Sequence, residues 1–276
     1  MHPWLAQEAA RYRATLRLIE ALVEAGFSPL ATDPTEADHL RLDHTRAIVE
    51  RLAAYGPGHV PLPLRVFSTG PVYQQGHWAD SVDVEVVEDG TVLGEPEVFA
   101  LLRRLAGNRA DRGEGLVLVL GHVGLLHRLC VELGLTADQA HEVRELLARG
   151  KVAAAADCLK AADPLSGQWL RPLDRAGFWD VVVSRLRTWP PTVVDPILAA
   201  LEAAAGIGLE TRWDLSLTGS WPYYTGVVFN LYRRGQGQAL VKGGRFHVQE
   251  GARAFHGVGF TLWLDPWLQG APASSV

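Results

Sequence analysis

Cysteine is scarce in this chain: Cys130 and Cys158 are the two among 276 residues. They lie far apart and form no CxxC pair. That excludes a disulfide framework and a cysteine-based zinc knuckle, and it points to two free thiols in a reducing compartment. A basic excess is also missing. Lys and Arg total 26 against 31 Asp and Glu, for a net charge of −5. Proteins that displace phosphate counterions from tRNA or DNA carry cations in surplus, so nucleic acid is a disfavoured partner. No apolar run approaches the roughly 18 residues of a membrane span. The N-terminal segment MHPWLAQEAARYRATLRLIEALVEAG lacks the unbroken apolar core of a signal peptide, so the expected location is the cytoplasm.

Motifs with a built-in mechanism are equally sparse. There is no GxxxxGK[ST] and no GxSxG, and GQGQAL and GVGFTL each lack the third glycine of a dinucleotide fingerprint. Ten histidines occur, none in HExxH. His122 and His127 are five apart near one short helix and do not share a face. No metal and no cofactor is expected from these patterns.

What is present is the patterning of a globular protein, with 48% hydrophobic and 21% charged residues. Leu16, Ile19, Leu22 and Val23 predict a helix over Leu5–Ala25, stopped by Gly26. A second helix is expected over Thr45–Tyr55, with Asp43, His44 and Thr45 as candidate caps. Strands are expected at Leu64–Gln74 and Ser81–Val87, joined by a loop over Gln75–Asp80. Val82, Val84 and Val86 alternate with Asp83 and Glu85, as in a half-buried strand. A helix follows at Glu95–Leu105 and a buried strand at Leu116–Leu120. Thr136 and Gln139 form a capping box for a helix reaching about Arg149. The span 151–208 reads as helical, interrupted by prolines. A hairpin is expected from Tyr224–Tyr232 and Gln238–Lys242, with a final strand over Phe255–Leu264. Strands, helices and strands again predict an α+β fold, a mixed and mainly antiparallel sheet flanked by helices.

Four blocks, in order, resemble the histidyl-tRNA synthetase family. LRLDHTRAIVERLA is similar to the block whose acid and threonine hold the α-amino group of histidine, with Asp43 and Thr45 at those positions. LRVFSTGPVYQQ and SVDVEVV resemble the strand-loop-strand of class II motif 2, with Glu85 matching a pocket glutamate. LVLVLGHVGLLHRLCVELGLTADQAHEVRELL resembles the stretch entering the family's helical segment. PYYTGVVFNLY and KGGRF resemble the block whose paired tyrosines, here Tyr223 and Tyr224, line the histidine site. The resemblance implies a class II synthetase-like core over residues 1–270, with a helical middle at about 121–205 and a disordered tail at 271–276. It also implies a histidine-like pocket built from Asp43, Thr45, Glu85, Tyr223 and Tyr224.

The departures are as specific. Gln74 stands where the synthetases place the motif 2 arginine that grips the α-phosphate, Gly219 where a second arginine stabilises charge, and Pro266 at the motif 3 arginine. Ser81 replaces a glutamine and Pro222 an aspartate. Fixed cations stabilise the charge that develops in adenylate formation, and losing one typically costs about two or more orders of magnitude. No catalytic residue is therefore expected. The sequence also stops soon after motif 3, without the family's anticodon-binding domain. The family's non-synthetase branch, the regulatory subunits of ATP phosphoribosyltransferase, shares these losses. Its resemblance implies partnership with the short-form catalytic subunit, a homodimer, histidine as a ligand, and no tRNA. The alternative is a synthetase-like paralogue that binds another small molecule or transfers an amino acid to a non-tRNA acceptor. That would require replacement cations, for which Arg65 and Arg245 are the candidates.

Overall fold

The computed structural model describes residues 3–269 except 34, 37–38, 57–58, 75, 89–93, 111–114, 150, 163–197, 200–201, 204–205, 207, 215–216 and 218–220. In chain order the strands are β1 (Ser28–Pro29), β2 (Thr35–Glu36), β3 (His39–Leu40), β4 (Leu64–Gln74), β5 (His77–Glu88), β6 (Leu116–His122), β7 (Glu210–Trp213), β8 (Tyr224–Arg233), β9 (Ala239–Glu250) and β10 (Arg253–Trp263). The helices are α1 (Pro3–Glu24), α2 (Thr45–Ala54), α3 (Glu95–Ala110), α4 (Val123–Glu132), α5 (Ala137–Ala148), α6 (Val152–Ala162) and α7 (Leu264–Leu268). Eight strands hydrogen-bond in the order β1-β4-β5-β10-β9-β8-β6-β7, and β2 and β3 form a separate pair. The sheet is mixed, with β1 parallel to β4, β6 parallel to β7, and antiparallel pairing among β4, β5, β10 and β9. This is the expected α+β architecture.

The chain divides into two compact units, residues 1–116 with 230–276, and residues 117–229. In the first unit, α1 buries Leu18 and Leu22 and ends at Gly26, whose φ of 87° carries the chain out of the helix. The faces of the β5-β10-β9 sheet differ. One face carries Val82, Val84, Val86, Val258, Phe260 and Leu262, all buried. Helix α3 packs against β10, and its Val98, Phe99 and Leu102 are fully buried. Each such side chain contributes about 1.5–3 kcal/mol on burial. The other face carries Ser81, Asp83 and Glu85.

In the second unit, Leu116–Leu120 extends to His122 as β6. The capping box at Thr136 and Gln139 is formed, with Gln139 N–H donating to Thr136 Oγ1 and Thr136 N–H to Gln139 Oε1. Of the helical middle segment, α4, α5 and α6 are described, while 163–197 lie outside the described residues, as does the tail at 271–276. Cys130 and Cys158 are free thiols.

Three expectations are corrected. The loop placed at Gln75–Asp80 is a strand from His77 onward, because the β4–β5 hairpin arms continue pairing through Gln74 and His77. Ser81–Val87 is not half-buried: every residue from Ser81 to Glu88 is buried. The strand expected over Gln238–Lys242 runs from Ala239 on to Glu250, with Gly243 and Gly244 inside it.

Candidate functional site

Strand register lines up side chains in rows across the polar face, since directly opposed residues share a face. The first row is Ser68 on β4, Asp83 on β5, Thr261 on β10 and Lys242 on β9. The second is Val66, Glu85, Gly259 and Gly244. The third is Leu64, Val87, Gly257 and Phe246. The start of α2 delivers His44 and Thr45 onto the same face.

Glu85 sits at the centre, 2% exposed. Thr45 Oγ1 donates to its Oε1 at 2.5 Å. Its Oε2 is buried and has no hydrogen-bond partner among the described residues. A β-carbon at Gly259 would lie 1.8 Å from that oxygen, so the carboxyl lies flat on β10 only because residue 259 has no side chain. Burial holds the Glu85 carboxyl well above the usual glutamate range. The Thr45 hydrogen bond opposes this, while the nearby Asp83 and Asp43 carboxylates reinforce it.

Asp83 is also fully buried, but satisfied. Ser81 Oγ donates to its Oδ2 at 2.8 Å and Thr261 Oγ1 to its Oδ1 at 2.5 Å. Burial raises its pKa, with the His44 charge and these hydrogen bonds pulling the other way. His44 is 2% exposed. Its Nδ1 is 2.7 Å from Thr32 Oγ1, which lies 2.8 Å from Ser68 Oγ. The result is one connected polar network under α2, worth little in pieces and costly when partly broken.

Thr45 bonds Glu85, and Asp43 lies near enough for its charge to act on the Glu85 carboxyl. Asp43 Oδ1 accepts from the Arg46 amide at 3.1 Å, capping α2. Tyr223 and Tyr224 stand at the start of β8 in the second unit, with ring centroids 5.2 Å apart and edge-on, and Trp221 stacks on Tyr223. Sequence reasoning missed His44, Asp83, Thr261 and Lys242 as residues of this face. The period of two in SVDVEVV was the available signal, since it sets Asp83 beside Glu85.

The two candidate replacement cations are on the opposite face. Arg245 is opposed to Val258 and Arg65 to Val86. Arg245 grips Glu88 at 2.7 Å and Glu95 at 2.5 Å, and both carboxylates are buried. Burial works against the charged guanidinium, but the hydrogen bonds and charges of Glu95 and Glu88 together outweigh it and raise its pKa. Arg65 pairs with Glu97. Pro266 is buried within α7, and Gly219 lies outside the described residues. Among the described residues, no group of three or more His, Cys, Asp or Glu could hold a metal ion.

A family model described as histidyl-tRNA synthetase matches residues 39–266. An ATP phosphoribosyltransferase regulatory subunit of Thiobacillus denitrificans is 32% identical over 174 residues, covering 60% of this chain and 52% of that protein. The subunit of the same name from Symbiobacterium thermophilum is 32% identical over 245 residues, covering 82% of this chain and 60% of its own length. The chain thus spans half to three-fifths of these curated relatives. Among solved structures, an ATP phosphoribosyltransferase regulatory subunit/histidyl-tRNA synthetase of Bacillus halodurans superposes with a TM-score of 0.75 at 21% identity, covering 95% of this chain and 79% of that one. An ATP phosphoribosyl transferase (HisG:HisZ) complex of Thermotoga maritima matches at a TM-score of 0.68 and 16% identity, covering 92% of this chain and 97% of that one.

Proposed function

The chain belongs to the histidyl-tRNA synthetase family, and on that footing we propose that it is a non-catalytic regulatory subunit. It activates a short-form ATP phosphoribosyltransferase catalytic subunit and contributes to histidine feedback in the first step of histidine biosynthesis. In this reading residues 1–270 act as a class II core with an inserted helical segment at about 121–205. The complex is cytoplasmic, and tRNA is not a partner.

The observation that carries the reading is the separation of binding from reaction chemistry. The polar face keeps acceptors for a cationic ligand in Glu85 and Asp43, positioned by Thr45 and the α2 cap. The arginines that might replace the lost synthetase cations are locked to Glu88, Glu95 and Glu97 on the opposite face. A site that can hold an ammonium, with both candidate replacement arginines paired on the opposite face, suits sensing rather than adenylation. Fold kinship alone would not decide this. The regulatory-subunit names of two relatives at 32% identity support it. The amino-acid-transferring alternative loses its candidate cations on the same observation.

Asp43, Thr45 and Glu85 are assigned to the polar end of the pocket. A homodimer is part of the proposal. On α1, Leu5, Tyr12, Leu16 and Val23 are exposed. At 100° per residue they fall on one narrow stripe, an apolar seam that an obligate interface would cover. The test is co-purification: the chain mixed with the short-form catalytic subunit of the same organism should co-elute as a hetero-oligomer. Separate elution at micromolar concentrations of both would defeat the proposal.

A further inference from the structure

We infer that Lys242 is the carboxylate-binding residue of the pocket, which makes the site selective for a zwitterionic amino acid over its decarboxylated or alcohol analogues. The inference rests on the pocket reading above and deepens it.

The argument begins from the rows. Asp83, Thr261 and Lys242 are successive partners across β5, β10 and β9, and Thr261 bonds Asp83, so Lys242 projects from the same face as the carboxylates. Two strand spacings separate Lys242 from Asp83, roughly 10 Å between backbones. Lys242 is half-buried and takes part in no ion pair among the described residues. The acids of its own face bond other groups, Asp83 to Ser81 and Thr261 and Glu85 to Thr45.

Between Lys242 and Phe246 on β9 stands Gly244, and its partner on β10 is Gly259. The strip beside Glu85 is thus free of side chains on both strands. Over it lies Glu85 Oε2, buried and without a donor among the described residues. A buried carboxylate oxygen lacking a partner is costly and asks for a donor from outside the chain. The face therefore has an acceptor for a cation at Glu85, glycines without side chains at 259 and 244 beside it, and a cation at Lys242 that makes no ion pair among the described residues. A ligand with an ammonium and a carboxylate satisfies both poles; one with the ammonium alone leaves Lys242 unanswered. The carboxylate-to-ammonium contact is a charge-assisted hydrogen bond, whose loss weakens binding about tenfold or more.

The experiment is calorimetric titration of the full chain with histidine, histidinol and histamine, alongside Lys242→Met and Lys242→Arg. Lys242→Met keeps the apolar stem and removes the charge. The parent should bind histidine about tenfold or more tightly than either analogue. In Lys242→Met histidine should fall to the level of histidinol while histidinol itself is unchanged, and Lys242→Arg should recover most of the preference. A purely structural role would weaken all three ligands alike. Histidine binding unaltered in Lys242→Met overturns the inference and leaves the histidine reading intact. If the parent ignores histidine, the twenty amino acids are screened by thermal shift. A different amino acid whose binding needs Lys242 then refutes histidine as the ligand and upholds the inference, and no binding by any of them refutes both.

Discussion

Thr45 Oγ1 donates to Glu85 Oε1 at 2.5 Å, joining the first residue of α2 to the middle of β5 with both side chains buried. The pairing fixes the entry of α2 over the sheet, and the second oxygen of Glu85 accepts no hydrogen bond among the described residues. Thr45→Val preserves the shape and removes the donor. It is expected to destabilise the chain by about 1–3 kcal/mol, the cost of a second unsatisfied oxygen. Urea denaturation should show a lower midpoint with an unchanged slope.

The raised pKa of Glu85 gives stability a defined pH dependence. Its neutral form is favoured in the fold, so its contribution is fully present below the ordinary glutamate value. That contribution is lost as pH climbs through the raised folded value. Glu85→Gln should therefore be more stable than the parent at about pH 8 and gain nothing at about pH 4. Thermal melts at both pH values measure the difference.

Ligand binding should carry the opposite slope. An ammonium recruits the ionised form of Glu85, so binding releases a proton and tightens as pH rises through the same window. Titrations in buffers of different ionisation enthalpy should register that release, and Glu85→Gln should abolish it.

On the far face, Arg245 holds two buried acids. Arg245→Met leaves them uncompensated and is expected to cost about 3–5 kcal/mol. Replacing Glu88, Glu95 and Arg245 together by apolar residues should restore much of that loss. Denaturant midpoints of the single and triple variants distinguish the two effects.

The α1 seam sets the expectation for self-association. Tyr12→Glu with Leu16→Glu should convert a dimer to a monomer by light scattering while leaving the circular dichroism of the fold unchanged, since both side chains are exposed in the chain.

Much of this was legible in the sequence. The helix of α1 and its Gly26 stop, the Thr136–Gln139 cap and the strand at Leu64–Gln74 follow from periodicity and local capping chemistry. What misled was chemistry at the site. Asp83 and Glu85 alternate with valines, the signature of a half-buried strand, yet both are buried within a polar network that includes Thr45 of α2. Gly243 and Gly244 lay just beyond the strand expected over Gln238–Lys242. Only the register shows them inside β9, with Gly244 opposite Gly259. His44 and Lys242 carried no sequence signal of their own, since their place depends on pairing between strands distant in the chain.

The most direct measurement is phosphoribosyl-ATP formation by the short-form catalytic subunit of the same organism, assayed alone, with this chain, and with this chain plus histidine. The account predicts a rate increase on adding the chain and suppression of that increase by histidine, with Glu85→Gln retaining the first effect and losing the second. An unchanged rate in the presence of excess chain would contradict it.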